Sequence, residues 1–347
     1  MKNMSVQIVE MLFEKPLEVL EFGKPQSQGN MTVIPIIYKG KTLEFISVKE
    51  AEELGLISIN ETDTVSQLEL INNSDQQVLI PFGVTVHGGK QDRTIWEPIL
   101  LAAGGKQHIS GTNKGTMEQK YTIPAKCVEQ SRWNYRKGTG FKASSTRLHP
   151  NVAYAAISSA GQGSVWDEIQ AYRTEMNYNN KIAPTQSYLE MTENIDKETE
   201  KIVSSFRNVE NQCGIAAFIN GEFIGIEFYA NAQVWGVMSK DILKAFAIES
   251  LRFKDKPFNG NPDLSEVQLI KTLQNLKLNF SARKGIGLGE VVEFESINGK
   301  WRGNTLVHGN SLVQFYIVSK RGGSTQTNQR MNQREQFFQT NISQRYI

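Results

Sequence analysis

Residues 215–228 read IAAFINGEFIGIEF, and this stretch decides the class of fold. Its two halves, 215–219 and 223–228, are rich in the apolar and aromatic side chains that strands prefer. Asn220 and Gly221 lie between them, and an Asn-Gly pair readily adopts the positive φ that a two-residue hairpin turn requires. The stretch therefore predicts a β-hairpin.

Further strand and helix signals lie on both sides of this hairpin. Strands are predicted at 32–38, 42–47, 65–71, 77–80, 94–101, 121–128, 290–295, 304–307 and 312–318, the first two as a hairpin. Helices are predicted at 48–54 and 195–209. Three more helices are predicted to begin at the N-cap residues Ser164, Ser239 and Ser265. Because strands and helices do not alternate as βαβ units, we expect an α+β fold. Its sheets are largely antiparallel with hairpins, packed with a few helices in the middle and C-terminal part.

The length of 347 residues suits one large domain or two ordinary ones. We expect a single α+β domain over 1–318, with room for two subdomains divided near 150–163. The segment 319–347 is rich in Gln, Asn and Ser and holds five basic residues and one acid, so we expect a basic, flexible tail. The net charge of the whole chain is only +2, which argues against nucleic acid as a partner.

The cysteines and the N-terminus indicate a compartment. Cys127 and Cys213 do not form a CxxC pair, so a disulfide framework is not expected and a reducing environment is the simpler explanation. Glu10 and Glu14 lie where a signal peptide would need an apolar run. No stretch approaches the roughly 18 apolar residues of a membrane-spanning helix. We expect a soluble, cytoplasmic protein without a membrane partner.

The first candidate for chemistry is residues 86–93, which read VHGGKQDR. Gly88 and Gly89 would let backbone amides approach an anion, while Lys90 and Arg93 add charge and donors. The pattern is not a Walker A loop. The simpler alternative is a turn with solvated charges.

The second candidate is residues 127–133, which read CVEQSRW. Arg132 could pair with Glu129 or with a ligand carboxylate or phosphate, and Trp133 could stack on a base. The alternative is an ordinary salt bridge beside a core tryptophan. Cys127 could act as a nucleophile only with a base or positive charge beside it, so a buried structural cysteine is the simpler explanation.

Two other features exclude familiar sites. Residues 283–290 read RKGIGLGE, but a strand follows them, whereas a dinucleotide fingerprint opens a helix. The four histidines (His87, His108, His149 and His308) are scattered, so no zinc site is expected. No cofactor can be named from the sequence.

Several blocks together resemble a known family. The blocks are 88–93, 127–133, 162–168, 217–222, 287–290 and the final strands. In this order, over most of residues 5–318, the chain resembles the ARG and rhodanese-phosphatase-superfamily-associated protein domain family. The resemblance implies one compact α+β domain and a role in NAD and ADP-ribose metabolism, because the family is associated with ADP-ribosylglycohydrolases and phosphatase-like domains. Position by position, the family's polar motif falls on Gly89, Lys90, Gln91, Arg93, Glu129, Arg132 and Trp133.

The chain departs from the family's pattern in three places. Asp92 stands where the family usually has Asn, which adds a negative charge beside the expected phosphate loop. The segment 105–120 is longer than the family's turn, and the tail lies outside the resemblance.

The resemblance and the motifs lead to one main hypothesis. We expect a protein that binds, and in one version processes, an ADP-ribose or NAD-derived nucleotide in NAD-linked stress or antiviral defence. Lys90 and Arg93 would hold phosphate, Gln91 would bond ribose or base, and Asp92 or Glu129 would be the catalytic base. The alternative is a non-enzymatic scaffold or sensor that acts through a protein partner, with the same motifs forming an internal polar network. RNA binding through the tail is a third, weaker hypothesis.

Overall fold

The structure is a computed structural model. It describes residues 3–62, 64–104, 119–132, 134, 140–157, 161–178, 184–255 and 266–321. The expectations for Trp133, His108, Ser265, most of the segment 105–120 and the tail from 322 onward lie outside the described residues.

The helices of the described residues range from 4 residues in α2 to 21 residues in α8. In chain order they are α1 Met4–Glu14, α2 Pro16–Val19, α3 Val48–Glu53, α4 Pro150–Ile157, α5 Gln162–Glu175, α6 Tyr188–Glu193, α7 Asp196–Val203, α8 Ala232–Arg252 and α9 Glu266–Asn275. No helix in the described part of the chain combines the length and the apolarity needed to cross a membrane.

Strands make up the rest of the regular structure. In chain order they are β1 Leu20–Phe22, β2 Gln26–Gln28, β3 Met31–Tyr38, β4 Ile46–Ser47, β5 Ile57–Glu61, β6 Gln67–Asn72, β7 Val78–Ile80, β8 Val84–Gly88, β9 Arg93–Ile95, β10 Ile99–Leu101, β11 Gln119–Cys127, β12 Gly140–Arg147, β13 Gly214–Ile219, β14 Glu222–Tyr229, β15 Leu278–Lys284, β16 Glu290–Ser296, β17 Trp301–His308 and β18 Ser311–Ser319. The predicted α+β class is confirmed.

The predicted central hairpin is the middle of the larger sheet. Asn220 and Gly221 have φ of 51° and 71°, as the turn requires. The sheet has the order β1-β3-β13-β14-β18-β17-β16-β15, with β2 paired to β3, and its pairs are antiparallel. Successive side chains alternate between faces, so Ile215 packs in the core shared with α8, while Ala216 packs in the core under α1 and α9.

The first half of the chain forms a second architecture. Six strands close into an antiparallel barrel in the order β11-β6-β5-β12-β8-β9, because β11 pairs with β6 along its first part and with β9 along its last. A small sheet, β10-β7-β4, lies beside it, and its β4–β7 pair is parallel. Closure leaves the barrel without exposed strand edges.

A buried polar network joins the barrel to the larger sheet. Arg147, the last residue of β12, places Nη2 2.6 Å from the Oε1 of Glu227 on β14. The same oxygen accepts hydrogen bonds from the Tyr229 hydroxyl at 2.7 Å and from Nε2 of Gln314 at 2.9 Å. All four side chains are buried, and the added hydrogen bonds stabilise the ion pair, as a buried charge requires.

Some local predictions were wrong, because tertiary packing overrode them. Only Ile46–Ser47 of the predicted strand 42–47 is a strand, and it pairs in parallel with β7 instead of forming a hairpin with β3. The predicted strand 94–101 is divided between the barrel and the small sheet.

The helix boundaries needed correction as well. Ser164 and Ser239 lie inside helices that start earlier, at Gln162 and Ala232. The true cap of α8 is Asn231, whose side chain accepts hydrogen bonds from two backbone amides of the first turn. The helix predicted at 195–209 ends at Val203, and α1 and β15 were not predicted at all.

Candidate functional site

The two polar motifs meet at one end of the barrel. There β5, β8 and β11 end, β9 begins, and the hairpin between β8 and β9 carries the first motif. The second motif follows β11 directly. We call this place the rim site and define it as Glu61, residues 87–93, residues 127–132 and Ser187.

Arg132 holds the two motifs together. Its Nε and Nη2 donate to both carboxylate oxygens of Glu129 at 2.7 to 3.0 Å. Its Nη1 donates to the carbonyl of Gly89 at 2.8 Å and of Asn134 at 2.7 Å, and Nη2 lies 3.3 Å from the carbonyl of Gly88. All three guanidinium nitrogens are therefore engaged within the protein, and the side chain is only 10% exposed.

Asp92 is the second centre of the site and is completely buried. Its Oδ1 accepts from the amide of Gly88 at 3.3 Å, lies 3.4 Å from Nη2 of Arg132 and lies 3.0 Å from Nδ1 of His87. Its Oδ2 accepts a hydrogen bond from the hydroxyl of Ser187 at 2.9 Å. A buried carboxylate with this many partners is held in one orientation.

Glu129 carries a buried charge stabilised by its neighbours. Burial by itself would raise the pKa of Glu129, but hydrogen bonds from Arg132 and Thr185 and from a backbone amide outweigh it and lower the pKa below the usual value. The backbone amide belongs to Asp92 and lies 3.0 Å from Oε2. Glu129 is therefore a carboxylate at neutral pH, bound through both oxygens.

The remaining motif residues lie deeper in the barrel end. Arg93 is fully buried, donates to the carbonyl of Gln91 at 2.9 Å and lies 3.8 Å from the carboxylate of Glu61. The Gln91 amide donates to the carbonyl of Gln130 at 3.3 Å and accepts from the thiol of Cys127 at 3.1 Å. These side chains line the interior of the site.

The two glycines are required by packing. Gly88 and Gly89 have φ of 138° and 47°, which disfavours any other residue. A Cβ on Gly88 would lie 2.4 Å from the carbonyl oxygen of Gly140, and one on Gly89 would lie 2.2 Å from the ring of Phe141. The close approach of β12 to this hairpin therefore accounts for both glycines.

Among the residues of the first motif that carry a side chain, His87 and Lys90 are the least buried. The side chain of His87 is 44% exposed although its Nδ1 faces the buried Asp92. Lys90 is half-buried, and its backbone amide donates to Glu61 at 3.2 Å. The first motif thus exposes the imidazole of His87 and leaves Lys90 partly exposed.

Cys127 lies inside the site as a thiol. Burial raises the pKa of the Cys127 thiol to about 11, against the opposing effect of the nearby Arg93. Its backbone amide and carbonyl are both bonded to the side-chain amide of Gln162, at 2.8 and 2.7 Å. The geometry agrees with a structural cysteine.

Sequence reasoning missed three residues of this site. His87 was set aside because the histidines are scattered, although it lies five residues from Asp92 on the same hairpin. Ser187 comes from the start of α6, where Tyr188 donates its amide to the carbonyl of Val128 at 2.9 Å. No local pattern marks Ser187 or Glu61, because their contacts depend on pairing between distant segments.

The other sequence candidates stay apart from the rim site. Residues 285–289 form a loop between β15 and β16, as predicted, and its Leu288 bridges to Leu100 of β10. No group of three or more His, Cys, Asp or Glu side chains within the described ranges is arranged to hold a metal ion.

Comparison with known proteins gives one match. A family model described as ARG and Rhodanese-Phosphatase-superfamily-associated Protein domain matches residues 19–112 and 116–318. The match includes both motifs of the rim site and most of the chain. No curated protein matches the chain, and no solved structure matches it.

Proposed function

This chain belongs to the ARG and Rhodanese-Phosphatase-superfamily-associated Protein domain family, and from that premise we propose that it binds an ADP-ribose-type or NAD-derived nucleotide at the rim site. The family's name associates it with ADP-ribose-related systems. The setting we propose, cytoplasmic NAD-linked stress or antiviral defence, rests on that association alone.

One observation carries the proposal. The positions that the family's polar motif occupies, from Gly89 to Arg93 and from Glu129 to Arg132, are far apart in sequence but are joined by Arg132 into one cluster. Buried charged groups are costly, and such groups are gathered at functional sites, so this cluster is the observation that supports a site here.

The geometry changes the roles first expected of these residues. Lys90 remains the proposed phosphate ligand, because it is a partly exposed cation on the β8–β9 hairpin. Arg93 and Gln91 are buried, and in the proposal they support the hairpin from inside. Glu129 is bound through both oxygens by Arg132, so we assign it support in place of the base role. Stacking by Trp133 stays part of the proposal.

A thermal-shift panel tests the proposal. The purified chain is heated with millimolar ADP-ribose, NAD, AMP, ATP and cyclic ADP-ribose. A ligand at about 100-fold over its Kd stabilises by roughly 2.7 kcal/mol, which gives a clear rise in Tm. Lys90→Ala should abolish the rise for the ADP-ribose-type ligands.

Lys120→Ala is the matched control, because Lys120 is exposed and lies near the far end of β11 from the rim site. This variant should keep the full shift. If the wild-type chain shows no shift with any nucleotide, or if both lysine variants lose it equally, the proposed site is refuted.

The same site also supports a second candidate, a non-enzymatic scaffold or sensor. The observation that favours it is the saturation of Arg132, which donates from all three nitrogens to protein acceptors. In this function the network makes the barrel end rigid, and a protein partner binds the surface of that end. The scaffold candidate predicts that no nucleotide changes the Tm, whereas the nucleotide candidate predicts that ADP-ribose-type ligands raise it.

A further inference from the structure

His87 occupies the position from which a proton can be exchanged with a ligand. It is the penultimate residue of β8, its side chain is 44% exposed, and its Nδ1 lies 3.0 Å from Oδ1 of Asp92. An imidazole that donates from Nδ1 to a buried carboxylate has its orientation and tautomer fixed, and Nε2 then serves as the acid–base atom.

Asp92 is itself held in place from a distant part of the chain. Residues 128–131 and 185–188 form a short antiparallel ladder, with the amide of Ser131 bonded to the carbonyl of Thr185 at 3.1 Å and an isolated bridge between Glu129 and Ser187. This ladder positions Ser187 so that its hydroxyl donates a hydrogen bond to Oδ2 of Asp92 at 2.9 Å. The other carboxylate oxygen of Asp92, Oδ1, faces His87.

We infer that His87 is the acid–base residue of the rim site, that Asp92 orients it, and that Ser187 positions Asp92. The inference rests on the proposed function, which supplies the nucleotide ligand, and it adds the reaction that the ligand undergoes. The class of reaction is hydrolysis of a P–O bond in a phosphate-bearing nucleotide, since Lys90 lies on the same hairpin as His87 and carries the kind of positive charge that stabilises a phosphoryl centre.

The step consumes one water molecule. Nε2 of His87 takes a proton from water as the water oxygen forms a bond to phosphorus, and the bond from phosphorus to the leaving oxygen breaks. The imidazolium then returns the proton to that oxygen, so the histidine ends as it began. In this step Asp92 stays a carboxylate and stabilises the imidazolium.

The charged surroundings of His87 come from three elements. The β8–β9 hairpin supplies Asp92 and Lys90, the segment after β11 supplies Arg132 and Glu129, and β12 places Lys142 directly across from His87. The carboxylate of Asp92 lies within hydrogen-bond distance of the imidazole. The orientation of the ring therefore depends on Asp92.

The tautomer of His87 tests the orientation without a substrate. Nitrogen-15 NMR of histidine-labelled full-length protein shows which ring nitrogen carries the proton, and His87→Gln assigns the resonance among four histidines. Wild type should be protonated at Nδ1. Asp92→Asn should lose this preference, Ser187→Ala should weaken it, and Ser187→Thr should restore it because the hydroxyl returns. An unchanged spectrum in Asp92→Asn would overturn the assignment.

Turnover tests the chemistry. The probes are ADP-ribose, NAD and ADP-ribose 1″-phosphate, with products separated by chromatography. His87→Gln should lower kcat by about 100-fold or more while KM changes little, as for loss of a general base. Ser187→Ala should lower kcat by less, with recovery in Ser187→Thr, and His308→Gln is the control that should keep full activity.

The two proposals fail separately. If ADP-ribose stabilises the wild-type chain but none of the probes is hydrolysed, or if His87→Gln retains the wild-type kcat, the acid–base inference is refuted while nucleotide binding stands. If no nucleotide binds and none is hydrolysed, both are refuted.

Discussion

Arg132 donates a hydrogen bond from Nη1 to the carbonyl oxygen of Gly89, 43 residues earlier in the chain, at 2.8 Å. The same guanidinium donates hydrogen bonds to both carboxylate oxygens of Glu129. One side chain therefore fixes the tip of the β8–β9 hairpin against the segment that leaves β11. The rim site owes its shape to this connection.

Removing that connection should be costly. Arg132→Ala leaves the carboxylates of Glu129 and Asp92 buried without their cation, and breaking a buried pair this way costs about 3–5 kcal/mol. Arg132→Lys should recover only part of the lost unfolding free energy, because an ammonium group cannot reproduce the bidentate contact with Glu129. Chemical denaturation measures the free energy of unfolding. Lys15→Ala, which breaks the exposed pair with Glu18, should cost no more than about 1 kcal/mol. Equal losses in Arg132→Ala and Lys15→Ala would contradict the account.

The hairpin tip should tolerate no side chain at Gly89. Gly89→Ala combines a φ of 47° with a Cβ that would lie 2.2 Å from the Phe141 ring. Gly29→Ala is the matched control, since Gly29 has a φ of 59° but open space around the added Cβ. The control should cost about 1 kcal/mol of unfolding free energy through backbone strain, and Gly89→Ala should cost clearly more. Equal melting temperatures for the two variants would show that the packing at Gly89 is not tight.

Lowering the pH should reduce the stability of the folded protein, because Glu129 becomes protonated. Because the pKa of Glu129 is lowered in the folded protein, its contribution to stability is complete above the unfolded value of 4.5. That contribution is lost as the pH falls below 4.5 and through the folded pKa. Denaturation between pH 3 and 7 should show a smaller fall in stability for Glu129→Gln than for wild type. A fall of the same size in both proteins would mean that Glu129 is not charged in the folded state.

The two cysteines should be inert in the native protein. Burial raises the pKa of Cys127 to about 11 and that of Cys213 to about 12, so both are thiols at pH 8. A chromogenic disulfide reagent should therefore react with neither thiol until denaturant is added, after which both should react. Rapid reaction of one thiol in the native chain, absent in Cys127→Ser, would identify Cys127 as a reactive group and reopen its role as a nucleophile.

Much of the fold could be read from local sequence. The turn at Asn220 and Gly221 and the last three strands were predicted because each signal is contained in a few neighbouring residues. Both polar motifs were recognised for the same reason. The α+β class followed from the absence of alternating strand and helix signals.

The pairing of distant segments could not be predicted. Barrel closure requires β11 to leave β6 and join β9, and a strand pattern contains no information about its neighbour. Ser187 reaches Asp92 across 95 residues, so no spacing rule reveals it. His87 was visible in the sequence, but its proposed role depends on the contact with the buried Asp92 in the folded hairpin.

The most direct test of the central claim is to titrate ADP-ribose into the histidine-labelled chain and follow the His87 resonance by NMR. His308, which ends β17 in the larger sheet, serves as the internal control. Nucleotide binding at the rim site predicts a saturable shift of His87 with no change at His308, and loss of that shift in Lys90→Ala. A His87 resonance that stays unmoved at millimolar ADP-ribose, or equal movement of both histidines, would contradict nucleotide binding at this site.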